Sequence, residues 1–201
     1  MASKTQIVNL ALLRIGVTRA IANVDTEQSR EAVSARLAFD DERDFVLRDF
    51  PWPWASTYAT GQLVTGSSTT PANRDWIFAY RYPSDCLMVR RLVTSAGRSD
   101  TAPPSFAIGR DSQGRLIYTN QEEAEFEYTA RVTNPEEFDA LFVSMLAWKL
   151  ASVLAPALSR IENMTTNAIK MYEIEKSKAQ SRALNEGQAA PPLDAEWVRG
   201  R

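Results

Sequence analysis

In FVLRDFPWPWAS, residues 45–56, Pro51 and Pro53 alternate with Trp52 and Trp54 directly after a run of alternating charge. Proline lacks the amide N–H and fixes φ, so neither a helix nor a central strand can pass through this stretch. The hydrophobic period differs on its two sides. Before it, apolar residues recur at helical spacing; after it, short runs alternate with a period of two. The chain therefore divides here, with its largest apolar side chains at the division.

On the N-terminal side, SKTQIVNLALLRIG reads as a first helix. Ser3 or Thr5 can cap it, Ile7, Leu10, Ala11 and Ile15 share a face, and Gly16 supplies a left-handed stop. Ile21 and Val24 tuck back from the connector. Asp25 with Gln28 has the spacing of a capping box, which predicts a second helix over 27–49. Ala32, Ala35, Ala38, Phe39, Phe45, Val46 and Phe50 form its apolar stripe, with Asp40, Asp41, Glu42, Arg43 and Arg48 on the wet side.

From Thr57 to Thr133 the pattern predicts strands at 76–82, 87–94, 115–120 and 124–132, with loops at 63–74 and 94–105. In the last strand Phe126, Tyr128 and Ala130 face one way, and Glu125, Glu127 and Thr129 the other. Helix returns at Pro135 with glutamates in its first turn; the helix is apolar around most of its circumference and breaks at Pro156. A longer amphipathic helix over 158–185 ends at Gly187, and Pro191 and Pro192 keep the remainder extended. The expected fold is α+β: four main helices, a β-rich insertion between helices 2 and 3, and an extended C-terminal tail. The segments are 1–56, 57–134, 135–186 and 187–201.

The 201 residues include no histidine and a single cysteine, Cys86. That removes Cys/His zinc sites, Ser-His-Asp triads, Cys-His dyads and intramolecular disulfides. No metal or cofactor is expected. Cys86 itself reads as a small core residue. The formal net charge of −2 provides no bulk field for holding nucleic acid or anionic lipid. No stretch is expected to approach the ~18 apolar residues of a membrane span. Glu123, Glu125 and Glu127 on one strand face could serve a polysaccharide hydrolase as acid and base, though they read first as the solvated face of an edge strand.

Trp, Tyr and Arg anchor interfaces, and they concentrate in three places: the PWPW corner, WIFAYRYP (76–83) and the AEWVRGR tail. The first is the corner of Phe50, Trp52 and Trp54, which either joins helix and insertion or meets another subunit. Ile161, Ala168, Met171 and Tyr172 are expected to be exposed on the last helix, for packing between subunits. In the tail, Leu193, Trp197 and Val198 are spaced apolar anchors, while Arg199 and Arg201 can fork onto carboxylates. A tryptophan in a tail without regular structure implies a binding partner.

Taken in order, TQIVNLALLRIG, RDFVLRDFPWPWA, WIFAYRYPSDCLMVRRL, NPEEFDALFVSMLAWKLA and EWVRGR resemble the head-to-tail adaptor proteins of short-tailed phages, also called tail tubular protein A. The resemblance spans almost the whole chain. It implies a non-enzymatic structural protein of the virion neck, assembled in the host cytoplasm as a homo-oligomeric ring of twelve subunits. That ring would sit between the portal protein and the tail nozzle, with tail fibres as further partners. Genomic DNA would pass through its channel without specific binding. The helices would form the ring body, the insertion would face outward or toward the nozzle, and the tail with Trp197 and Arg199 would climb along the portal. An unrelated helical interaction protein is the alternative outside phages.

Overall fold

Ser3 starts the first helix, α1 (Lys4–Arg14), through a reciprocal cap. Its hydroxyl accepts from the Gln6 amide at 3.2 Å, and the Gln6 side chain accepts from the Ser3 amide at 2.9 Å. Gly16, at φ 78°, closes the other end. Val17 donates to the Leu12 carbonyl at 3.0 Å and Gly16 to that of Leu13 at 3.1 Å. The computed structural model describes residues 2–67, 69–93, 104–159 and 161–186, and within them the chain is mixed α+β, with four helices and two antiparallel sheets.

The second helix, α2 (Arg30–Asp49), begins later than the sequence suggests. Ser29 caps it by accepting from the Ala32 amide, whereas Asp25 pairs with Lys4 at 2.7 Å. Residues 23–27 close a turn of their own, with the Glu27 amide bonded to the Asn23 carbonyl. Two positions on α2 also exchange roles. Phe45, expected in the apolar stripe, is 47 % exposed, and Arg43, expected on the wet face, is buried.

A single 3₁₀ turn, Pro53–Ala55, leads into seven strands: β1 (Ser56–Thr60), β2 (Gln62–Thr65), β3 (Phe78–Arg81), β4 (Cys86–Val93), β5 (Phe106–Asp111), β6 (Gly114–Thr119) and β7 (Glu125–Ala130). They form a three-stranded sheet ordered β1-β7-β4 and a four-stranded sheet ordered β2-β3-β6-β5. Three of these strands, β1, β2 and β5, lie outside the four predicted from alternation. The largest part of the 94–105 loop expected from sequence, residues 94–103, lies outside the described residues. Phe78, Tyr80, Ile117, Phe126 and Tyr128 build a core between the sheets, as the period-two pattern of β7 requires. β7 is a central strand, however, so Thr129 on its other face is buried as well.

Asp139 caps α3 (Ala140–Leu158), around which α1, α2 and α4 (Met164–Glu186) are arranged. Contrary to the sequence expectation, α3 is long and apolar enough to cross a membrane by length and composition, and half of that window is buried inside the fold. Packing on three helices accounts for the apolarity: Phe142, Met145, Leu146, Ala147, Leu150 and Ala151 are all fully enclosed. Pro156 does not break this helix. It lies within the last turn, where one ladder bond is lost, and the Ser159 amide still reaches the Ala155 carbonyl at 2.9 Å. Residues 159–163 then connect to α4, anchored by the Ser159 hydroxyl donating to the Ile15 carbonyl at 3.0 Å. On α1, Arg14 donates to the Ser144 carbonyl at 2.7 Å and lies 4.3 Å over the Trp148 ring, where burial pulls its pKa down to about 10.

Candidate functional site

Phe50 and Trp52 have extended backbones, as residues before proline must. Their side chains turn inward and are buried. Trp52 is 3 % exposed; it packs edge-on against Phe50 at 4.9 Å and Phe142 at 5.3 Å, and its Nε1 donates to the Val46 carbonyl at 3.1 Å. Trp54 meets Phe142 at 5.1 Å and Phe138 at 5.8 Å. The corner therefore locks the end of α2 onto the start of α3. Proline alternation places successive tryptophans against one aromatic surface, and that surface belongs to the chain itself.

The same helix end is held from the insertion. Arg90 on β4 donates through Nη2 to the carbonyls of Arg48 at 3.0 Å and Phe50 at 3.1 Å, and through Nε to the Thr129 hydroxyl at 2.8 Å. Carbonyls at a helix C-terminus lack intrahelical partners, and a guanidinium there complements the dipole. One arginine thus joins α2, β4 and β7.

Between α2, α3 and α4 lies a polar seam that sequence patterning did not find. Asp49 accepts from the Tyr172 hydroxyl and from Lys176 at 2.7 Å. Lys149 stands 4.0 Å over the Phe45 ring and 3.7 Å from Glu42 Oε2, a buried oxygen without a hydrogen-bond partner among the described residues. Burial raises the Glu42 pKa against the pull of Lys149. At Asp49 burial acts in the same direction, but the bonds from Lys176 and Tyr172 outweigh it and leave the carboxyl below its ordinary value.

The acidic run of α2 borders an open cleft of about 920 Å³ between the start of α1, residues 23–25 and residues 131–136. Arg43 donates to Asp40 at 2.7 Å and to Asp44 at 2.7 Å, and Arg131 reaches the other Asp44 oxygen at 2.8 Å. Asp40 and Asp44 thus each neutralise an arginine, while Asp25 across the cleft pairs with Lys4. Of the hydroxyls that line the cleft, that of Ser3 accepts from the Gln6 amide and that of Thr5 from the Val24 amide.

The three insertion glutamates are not a matched pair. Glu123 precedes β7 in a turn with φ 51°, so it does not share a strand face with the others. Glu127 accepts from Arg91 and from the Ser56 hydroxyl at 3.0 Å. Cys86 is buried, and desolvation raises its pKa.

For the last helix, the expectation of four exposed apolar residues needs correction. Ala168 and Tyr172 are buried against the rest of the subunit, Met171 is half-buried, and Ile161 precedes the helix. Among the described residues of α4, the large apolar side chains left exposed are Ile169 and Ile174. Ile161, 54 % exposed, lies over Gly16 at the end of α1, the helix that also carries Leu13, 68 % exposed. Leu193, Trp197, Val198, Arg199 and Arg201 lie outside the described residues. Neither a protein-family model nor a curated protein sequence matches the chain.

Proposed function

We propose that the chain is a structural head-to-tail adaptor of a tailed phage, one subunit of a ring that joins the portal protein to the tail nozzle around the DNA exit channel. The observation that carries this reading is the ordered set of five segments, from TQIVNLALLRIG to EWVRGR, that resemble the adaptor family along almost the whole sequence. In this reading the helices are the ring body, the strands between α2 and α3 are an insertion directed outward or to the nozzle, and residues 187–201 are an extended strap for the portal.

Several structural features support it. Asp40, Asp44, Arg43 and Arg131 of the cleft and Glu127 of β7 are engaged in ion pairs, which suits these surfaces to contact. Leu13 and Ile161 expose apolar area at one end of the helices, and Ile169 and Ile174 along α4, where subunits of a ring would meet. A formal net charge of −2 suits a channel that DNA must traverse without being gripped.

The test is electron microscopy of the purified chain mixed with its portal. The expected particle is a portal carrying a second ring of the same symmetry; a monomer by mass measurement with and without portal overturns the reading. Release of reducing sugars from bacterial surface polysaccharide, abolished by replacing Glu123, Glu125 and Glu127 with Gln, would establish the hydrolase instead.

A further inference from the structure

The segment 57–134 holds eight arginines and no lysine. Most of those the structure describes are engaged: Arg81 with Asp111, Arg90 with α2 carbonyls, Arg91 with Glu127 and Arg131 with Asp44. Arg110 and Arg115 are not. They stand directly opposite each other in the β5–β6 pair, so both side chains project from the same face of the sheet. No carboxylate among the described residues lies within ion-pair distance of either. Like charges facing across an antiparallel pair repel, and no ion pair among the described residues offsets that repulsion.

Arg115 borders a recess of about 690 Å³ where β1 passes into β2, between the ends of the two sheets. Thr60, Gln62, Tyr82, Ser84, Gln113 and Arg131 also line it, and no lining residue is acidic. The guanidinium of Arg115 lies 5.5 Å from the centre of the Tyr82 ring, which fixes the plane of the fork. Tyr82 stays a neutral donor because burial pushes its pKa up to about 12, and Cys86 beneath it stays a thiol.

We infer that this recess binds a carboxylate-bearing peptide segment of another protein, with Arg115 as its anion anchor and Arg110, outside the lining but directly across the strand pair, adding to the positive charge beside it. Paired guanidinium forks match carboxylates in a two-point geometry. The recess is larger than a single small anion needs, and its amides, hydroxyls and tyrosine ring offer partners for a peptide backbone and its side chains. Nucleic acid fits less well, because two unpaired arginines cannot follow a line of phosphates. The inference stands on this geometry and is independent of the adaptor reading.

The experiment is fluorescence anisotropy of a labelled hexaglutamate peptide titrated with the full chain at low ionic strength, with hexaglutamine as the blank and inorganic phosphate as competitor. Hexaglutamate is expected to bind. Arg115→Glu should weaken it at least tenfold, roughly one charge-assisted hydrogen bond or more. The melting temperature of that variant should hold or rise, because opposite charges now face across the β5–β6 pair. Arg110→Gln should weaken binding too, whereas Arg74→Gln, an exposed arginine outside the recess, should change it less than twofold. The inference is overturned if hexaglutamate fails to bind, if Arg115→Glu binds like the parent, or if Arg74→Gln loses as much as Arg115→Glu. Phosphate displacing the peptide at equal molar concentration would also overturn it, by making the recess a site for free anions.

Discussion

Tyr172, at the middle of α4, donates its hydroxyl to Asp49 in the last turn of α2, so one hydrogen bond ties the two helices across their seam. A carboxylate at a helix C-terminus opposes the dipole there, and Lys176 at 2.7 Å offsets that cost. Besides Tyr172, the buried residues among those described on α4 are Ala168 and Ala179, which contribute little apolar area. Tyr172→Phe should therefore destabilise the chain by about 1.5–3 kcal/mol, the usual range for a hydrogen bond to a charged group. Urea denaturation followed by circular dichroism measures this; an unchanged midpoint contradicts the role given to the bond.

The seam also has a pH signature. Burial raises Glu42 above 4.5, so the folded chain holds that proton more tightly than the unfolded one. Its contribution to stability is complete below 4.5 and is lost as pH rises through the folded pKa. Asp49 is lowered from 3.8, so its contribution is present above 3.8 and lost as pH falls through its folded pKa. The stability of the parent relative to Glu42→Gln should rise between pH 7 and 4.5, and that relative to Asp49→Asn should fall below pH 3.8. Denaturation series for both variants at four or five pH values check the two signs separately.

Trp52 is a core residue by its contacts, which sets a test against an interface role. Trp52→Ala removes three aromatic contacts and the bond to the Val46 carbonyl, and should cost about 3–5 kcal/mol. The loss should appear in the isolated subunit, as a lower denaturation midpoint with a weaker near-ultraviolet aromatic signal. If stability is unchanged and only assembly fails, the corner belongs to a contact between subunits.

Arg90 gives the link between helices and sheets a single handle. Arg90→Lys keeps the charge but cannot reach the Arg48 and Phe50 carbonyls and the Thr129 hydroxyl together. A loss of about 1–3 kcal/mol is expected, with amide exchange accelerating at the β4–β7 pairs and the last turn of α2 together. Acceleration at only one of the two would show that Arg90 does not couple them.

These elements differ in how openly the sequence carries them. The cap of α1 was legible because Ser3 and Gln6 act within one turn, and the β7 face because alternation of Phe126 and Tyr128 is local. The burial of Arg43 was not, because it depends on Asp44 being held from across the fold by Arg131. β1, β2 and β5 lack strong alternation; all four positions of β2 are exposed, and its pairing with β3 makes it a strand. The direction of Trp52 was hidden for the same reason. Proline dictates the path of the backbone at positions 51 and 53, and the distant residue Phe142 decides which side of that path is dry.

The last expectation concerns Leu13 and Ile161. Ile161 is seated on Gly16, where an added Cβ would lie 2.8 Å from its Cδ1, so the glycine allows the side chain to lie flat over the end of α1. Even so it stays 54 % exposed, and Leu13 on the same helix is 68 % exposed. Two large aliphatic groups left in water near one helix end lose little when made polar in an isolated subunit, but more if a neighbouring subunit covers them. Leu13→Glu with Ile161→Glu should therefore shift the melting temperature of the subunit by no more than about 2 °C, a change within ~0.5 kcal/mol. Under the adaptor reading it should abolish ring formation on the portal, because each subunit contact then buries two uncompensated carboxylates. Sedimentation of the double variant with portal gives the answer: full-sized rings with an unchanged subunit would move the contact between subunits to α4, at Ile169 and Ile174.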